Sequence, residues 1–204
     1  MTVITKPCGL LQANMYVVYD DAHNAIVIDP ISDPCLRNIL DSTSLSLKAI
    51  FLTHAHFDHA QDLDAIQQRY DVPSYIHCDD ADALNDPVKN VSYLIGKNLL
   101  LGKASKFVSD GDSIEMGDIN VLVHHTPGHS NGSVCYEIDG MLFSGDTLFA
   151  GGIGRCDLYG GDTSEMLKSL KKIAALEKNL KLYPGHGPSS TLLYEKNSNP
   201  YLRF

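Results

Sequence analysis

The sequence predicts an α/β fold, two mixed sheets packed face to face with helices on the outside. Three observations predict it. Apolar runs too short for helices alternate with amphipathic segments, two-residue turn signals join several runs into hairpins, and each half of the chain adds its helices late. At 204 residues the chain suits one domain spanning 1–204, built from two similar halves, and no linker or low-complexity segment divides it.

The elements follow in order. NMYVVYD (14–20) and AIVID (25–29) read as a hairpin across the polar tip Asp21–Asn24. Asp33-Pro34 supplies a helix N-cap and a first-turn proline, with Leu36, Ile39 and Leu40 inward. KAIFL (48–52) is a buried strand, and Ala60, Leu63, Ile66 and Tyr70 recur at helical spacing, predicting one amphipathic helix. Ser113–Met116 with Ile119–Thr126, and Ser133–Ile138 with Met141–Ser144, are hairpins, the second turning on Asp139-Gly140. Asp162 with Glu165 resembles a capping box for a helix that buries Met166, Leu170 and Ile173. Leu180–Tyr183 is a short strand stopped by Pro184-Gly185.

Composition narrows the function. No run of about 18 apolar residues occurs, so no membrane span is expected. MTVITKPCGL has neither the basic start nor the apolar core of a signal peptide. Five scattered cysteines without a Cys-x-x-Cys pair argue against a disulfide framework or thiolate zinc knot and fit a reducing cytoplasm. A formal charge of −9 disfavours a nucleic-acid surface.

THAHFDH (53–59) places three histidines and an aspartate between the strand at 48–52 and the helix after it. Three later loops each bring a further metal-ligand type beside a glycine: TPGHS with His129, SGDTLF with Asp146, and YPGHG with His186. The candidate ligands are His54, His56, Asp58, His59, His129, Asp146 and His186. Five imidazoles and two carboxylates exceed the three protein ligands of one open catalytic zinc, and match two ions sharing one carboxylate. Such donors suit zinc first, with iron or manganese as alternatives. Asp58 alone could be read as a helix cap; of the other histidines, His23 and His77 read as structural, and His124 and His125 as packing residues or partners that orient a ligand.

His-x-His-x-Asp-His followed by isolated His, Asp and His resembles the metallo-β-lactamase superfamily, whose fold is an αβ/βα sandwich with its metals along one edge. The resemblance implies that His54, His56 and His129 hold one metal and Asp58, His59 and His186 a second, with Asp146 bridging. Asp58 and Asp146 are then the carboxylates at the reacting centre. Asp146 disfavours the lactam-cleaving members, which lack a bridging carboxylate. GDTLF with a glycine-rich turn and a cation, then PGHG, is similar to the glyoxalase II family, the hydroxyacylglutathione hydrolases. That implies hydrolysis of a small glutathione-linked thioester, S-lactoylglutathione, by a hydroxide held between the metals.

Ending at NPYLRF, the chain resembles the short bacterial form, without the C-terminal helical region that contacts glutathione. Arg155 reads either as a group that recognises the substrate carboxylate or as half of a structural ion pair, with Tyr159 as its substrate-binding neighbour. The alternative is a persulfide dioxygenase using one iron on the same fold. A monomer or weak homo-oligomer is expected.

Overall fold

Each half of the chain runs as antiparallel strands and then crosses over, through helices, to a parallel strand. The computed structural model describes residues 1–204. The first half comprises β1 (Thr2–Cys8), β2 (Ala13–Tyr19), β3 (Asn24–Ile28), α1 (Asp33–Thr43), β4 (Ser46–Phe51), α2 (Phe57–Ala60), α3 (Leu63–Tyr70), β5 (Ser74–His77), α4 (Cys78–Ala81) and β6 (Lys106–Val108). The second comprises β7 (Ser113–Met116), β8 (Ile119–His125), β9 (Val134–Ile138), β10 (Met141–Gly145), the small pair β11 (Leu148–Phe149) and β12 (Gly152–Ile153), α5 (Thr163–Ala174), β13 (Lys181–Pro184), β14 (Ser190–Thr191) and α6 (Leu192–Ser198).

One sheet has the order β1-β2-β3-β4-β5-β6, the other β14-β13-β10-β9-β8-β7. β3 to β6 run parallel, as do β10 and β13, because helical connections return each chain segment to the same end of its sheet. Alternation along the strands sorts the core into three layers. Tyr16, Val18, Ile26, Ile28 and Phe51 meet Val121, Val123, Tyr136 and Phe143 between the sheets. Met15, Val17, Val27 and Ile50 face Leu36, Leu40, Leu63 and Ile66 of α1 and α3. Cys135, Leu142 and Leu182 face Met166, Leu170 and Ile173 of α5 and Leu192 of α6. With both faces covered, β2 and β3 read as nearly unbroken apolar runs. This is the two-sheet sandwich with outer helices that the sequence predicts.

Three local expectations need correction. The N-cap of α1 is Ser32 rather than Asp33, whose carboxylate instead accepts from Arg69 Nε at 3.0 Å. The single helix predicted beyond the histidine motif is two, α2 and α3. They part at Gln61–Asp62, where Asp62 ties back to the start of α1: its N–H donates to the Pro30 carbonyl and its Oδ2 accepts the Asp33 N–H. The capping box is half formed. Asp162 accepts from the N–H groups of Ser164 and Glu165, while the Glu165 side chain pairs with Lys168.

Candidate metal centre

The candidate ligands all follow the C-terminal ends of strands along one edge of the sandwich. His54 and His56 come just after β4, His129 after β8, Asp146 after β10 and His186 after β13. Asp58 and His59 do not lie on the loop; they are in the first turn of α2, so the motif is half loop and half helix. Since β10 and β13 are parallel neighbours with Gly145 opposite Pro184, Asp146 and His186 leave the sheet side by side. The Gly185 N–H donates to the Gly145 carbonyl, and a Cβ on Gly185 would stand 2.1 Å from Asp146 Oδ1. Only glycine leaves that carboxylate its place. Across the core, Tyr136 Oη donates to the Leu52 carbonyl and Val134 N–H to the Thr53 carbonyl, which anchors the motif to the second sheet.

The donors gather in two groups. His54, His56 and His129 each place one donor within 4.8 Å of the others, as do Asp58, His59 and His186. Asp146 lies between them. Its Oδ2 is 3.5 Å from His129 Nε2 and 3.7 Å from His186 Nε2, and its Oδ1 is 3.4 Å from His59 Nε2. His129 Nε2 is 2.9 Å from His56 Nδ1, His59 Nε2 is 3.2 Å from His186 Nε2, and Asp58 Oδ2 is 3.2 Å from His186 Nε2. Donors held at about 2.0–2.2 Å around one tetrahedral ion stand about 3.3–3.6 Å apart. The observed spacings bracket that range.

Buried partners set which nitrogen of each ring faces inward. Asp29 Oδ1 accepts the Thr53 N–H, and Oδ2 accepts both the Thr53 hydroxyl and His59 Nδ1–H, each at 2.8 Å. With its proton spent on Asp29, Thr53 Oγ1 accepts from His54 Nδ1–H at 3.0 Å. One carboxylate thus fixes both His54 and His59 with bare Nε2 atoms. His129 Nδ1–H donates to the Arg155 carbonyl at 2.8 Å, baring its Nε2 as well. Asp80 braces the loops: Oδ2 accepts the Ala55 N–H and the Ser130 hydroxyl, and Oδ1 accepts the Gly132 N–H. Sequence reasoning missed both aspartates. Asp29 carried a signal, since it ends a strand as the ligand loops do, whereas Asp80 sits unmarked in an acidic run.

Burial pushes His54 and His56 well below the ordinary imidazole value, reinforced by neighbouring imidazoles, so both are neutral donors. Burial would also lower His59, but Asp58, Asp146 and Asp29 pull it up to about 10. His186 is raised against its own burial by the hydrogen bond to Asp58 and the charge of Asp146. Asp58, which burial alone would raise, is held well below the usual carboxylate range by His59 and His186. The carboxylates therefore draw positive charge into this end of the cluster, which protons or a cation can supply. His54 Nε2, His56 Nε2 and Asp146 Oδ1 are buried without a hydrogen-bond partner. Each such atom costs about 1–3 kcal/mol. Three together fit a cluster built for cations.

A cavity of about 610 Å³ opens beside His56, lined also by Lys89, Asn131 and Tyr159. The Lys89 ammonium lies 5.6 Å from the centre of the half-exposed Tyr159 ring. Arg155 does not line this cavity. Of its two readings the structure displays the ion pair, with Nε and Nη2 donating to Asp157 at 2.6 and 2.8 Å.

The Metallo-beta-lactamase superfamily pattern matches residues 8–186. This chain belongs to that superfamily. It is 35% identical to the probable metallo-hydrolase YqgX of Bacillus subtilis, covering 96% of this chain and 95% of that one. It is 30% identical to the hydroxyacylglutathione hydrolase of Photobacterium profundum, covering 93% of this chain and 69% of the relative. Among solved structures, the B3 metallo-beta-lactamase BLEG-1 superposes with a TM-score of 0.94 at 38% identity, covering both chains completely. TTHA1623 in a di-iron-bound form gives 0.83 at 33% identity over 99% of this chain and 100% of that one. ETHE1 from Myxococcus xanthus gives 0.81 at 25% identity over 98% and 84%. Superfamily membership and the His/Asp clusters together make this a metallo-hydrolase fold equipped for divalent metal.

Proposed function

We propose that the chain is a dinuclear metal-dependent thioester hydrolase, with S-lactoylglutathione the leading substrate. The observation that carries the reading is Asp146, set between two three-donor groups, each completed without a thiolate. His54, His56 and His129 would hold one ion and Asp58, His59 and His186 the other, with Asp146 reaching both. Two divalent ions there supply an acidified water and a Lewis acid for the acyl carbonyl. Zinc suits the donors, and the likeness to a di-iron protein keeps iron beside it.

The chain's own residues do the rest. Asp29, Thr53 and the Arg155 carbonyl keep three imidazoles in the donor tautomer. His186, with a side chain 27% exposed, forms the open lip of an otherwise buried cluster and gives substrate its approach. The cavity beside His56 is large enough for a tripeptide-sized thiol carrier, with Tyr159 and Lys89 on its wall. A thiolate leaves readily, so no dedicated acid is needed for the departing group. The similarity to a hydroxyacylglutathione hydrolase supports this choice of substrate.

Lactam hydrolysis is the second reading, favoured by the full-length likeness to BLEG-1. That likeness weighs against dismissing lactams on Asp146 alone. The test is metal analysis of the purified protein with parallel assays on S-lactoylglutathione, other thioesters, a β-lactam, and oxygen uptake with glutathione persulfide. Two ions per chain and thioester turnover are expected. One iron with oxygen uptake overturns the hydrolase, and turnover of the lactam without the thioesters transfers the assignment to the second reading.

A further inference from the structure

A second group of metal-ligand side chains lies outside the cluster described above. His77 ends β5 and His125 ends β8, and the two rings stack with centroids 3.8 Å apart and planes 8° from parallel. Asp79 Oδ2 is 3.6 Å from His77 Nδ1 and Cys78 Sγ is 4.0 Å from the same nitrogen, which here accepts the Asp79 N–H at 3.3 Å as the cap of α4, a hydrogen bond that an ion on Nδ1 would replace. One donor from each of His77, Asp79 and His125 falls within 4.8 Å of the others. His125 Nε2–H donates to the Asn131 carbonyl, so its Nδ1 keeps a free lone pair. Cys78, Asp79 and His125 line the same cavity as His56, which gives an ion a way in.

We propose that His77, Cys78, Asp79 and His125 form a further site for a borderline or soft divalent cation such as zinc, on the wall of the cavity beside the primary cluster. The donor set of two imidazoles, one thiolate and one carboxylate is a four-coordinate zinc set. Stacked rings hold their in-plane lone pairs parallel, so closure on one ion turns the partly exposed His125 ring out of the stack. Burial and the Asp79 carboxylate hold the Cys78 thiol above its ordinary value. Uptake therefore releases the Cys78 proton to solvent and strengthens as pH rises. A cation here also offsets the negative wall formed by Asp79, Asp82 and Glu165.

The site is separable from the primary cluster because it alone contains a thiolate. Metal-free full-length protein is titrated with Co²⁺, which also fills the thiolate-free primary cluster, and is followed for the sulfur-to-cobalt charge-transfer absorption in the near ultraviolet. Wild type should develop the band with one further equivalent of metal, and Cys78→Ser should not. His125→Gln, which keeps a side-chain amide for the Asn131 carbonyl, should bind that equivalent at least ~10-fold more weakly. No band in wild type, a band surviving Cys78→Ser, or unchanged affinity in His125→Gln each overturns the proposal. None of these readouts depends on the thioester reading.

Discussion

Replacing Asp29 by Asn changes one atom and should disarm a ligand in each half of the cluster. Asp29 adopts φ +56°, a left-handed conformation that Asn tolerates, so the exchange adds no backbone strain. Its Oδ1 accepts the Thr53 N–H, so the amide oxygen of Asn must take that position. The amide NH₂ then stands where Oδ2 accepted from Thr53 Oγ1 and His59 Nδ1. Two acceptances become two donations. His59 must bare Nδ1 and move its proton to Nε2, the nitrogen facing Asp146 and His186. Thr53 Oγ1, now an acceptor, turns its own proton to His54 Nδ1, and His54 carries its proton inward too.

Loss of an orienting partner typically costs a metal site 10–100-fold in affinity, about 1.4–2.7 kcal/mol. Here it should weaken both ions. Competition against a chromogenic chelator measures each binding step, and a melting curve of the metal-free protein checks the fold. A folded Asp29→Asn protein that binds both ions as wild type does would refute the tautomer argument. Thr53→Val separates the two arms, since it removes the hydroxyl that joins Asp29 to His54 but leaves the Asp29–His59 hydrogen bond, and should weaken one ion.

Gly185→Ala should displace the Asp146 carboxylate, lowering metal content to about one ion or less per chain by elemental analysis. Arg155→Ala should leave kcat, KM and metal content nearly unchanged, because only the exposed ion pair with Asp157 is lost and the carbonyl that orients His129 remains; steady-state kinetics with metal analysis checks each part. In metal-free protein, His59 and His186, raised in the fold, contribute stability that is whole below pH ~6.5 and is lost as pH rises, for His59 through about 10. His54 and His56, lowered in the fold, contribute stability that is whole above pH ~6.5 and is lost as pH falls. The melting temperature of chelated protein should therefore peak within about one unit of pH 6.5, and a flat profile from pH 5 to 9 would count against the charge arrangement.

The candidate donors were legible in the sequence because metal chemistry demands scarce residue types. A chain with nine histidines that places three in one heptapeptide, then others in glycine-flanked loops after strands, displays its donors openly. The sheets were legible for a related reason, as period-two runs and Asp-Gly turns carry their geometry locally. What stayed hidden depends on reach. Asp29 touches His59 across 30 residues, and Asp80 touches Gly132 across 52, and an aspartate looks the same in sequence whether it orients a ligand or faces water. His77 and His125 show the limit most clearly. Each alone reads as a strand-end histidine, and they meet only because β5 and β8, in different sheets, finish at the same edge of the sandwich. An edge that collects strand ends collects side chains from both sheets, so it can hold donors beyond those the motif advertises.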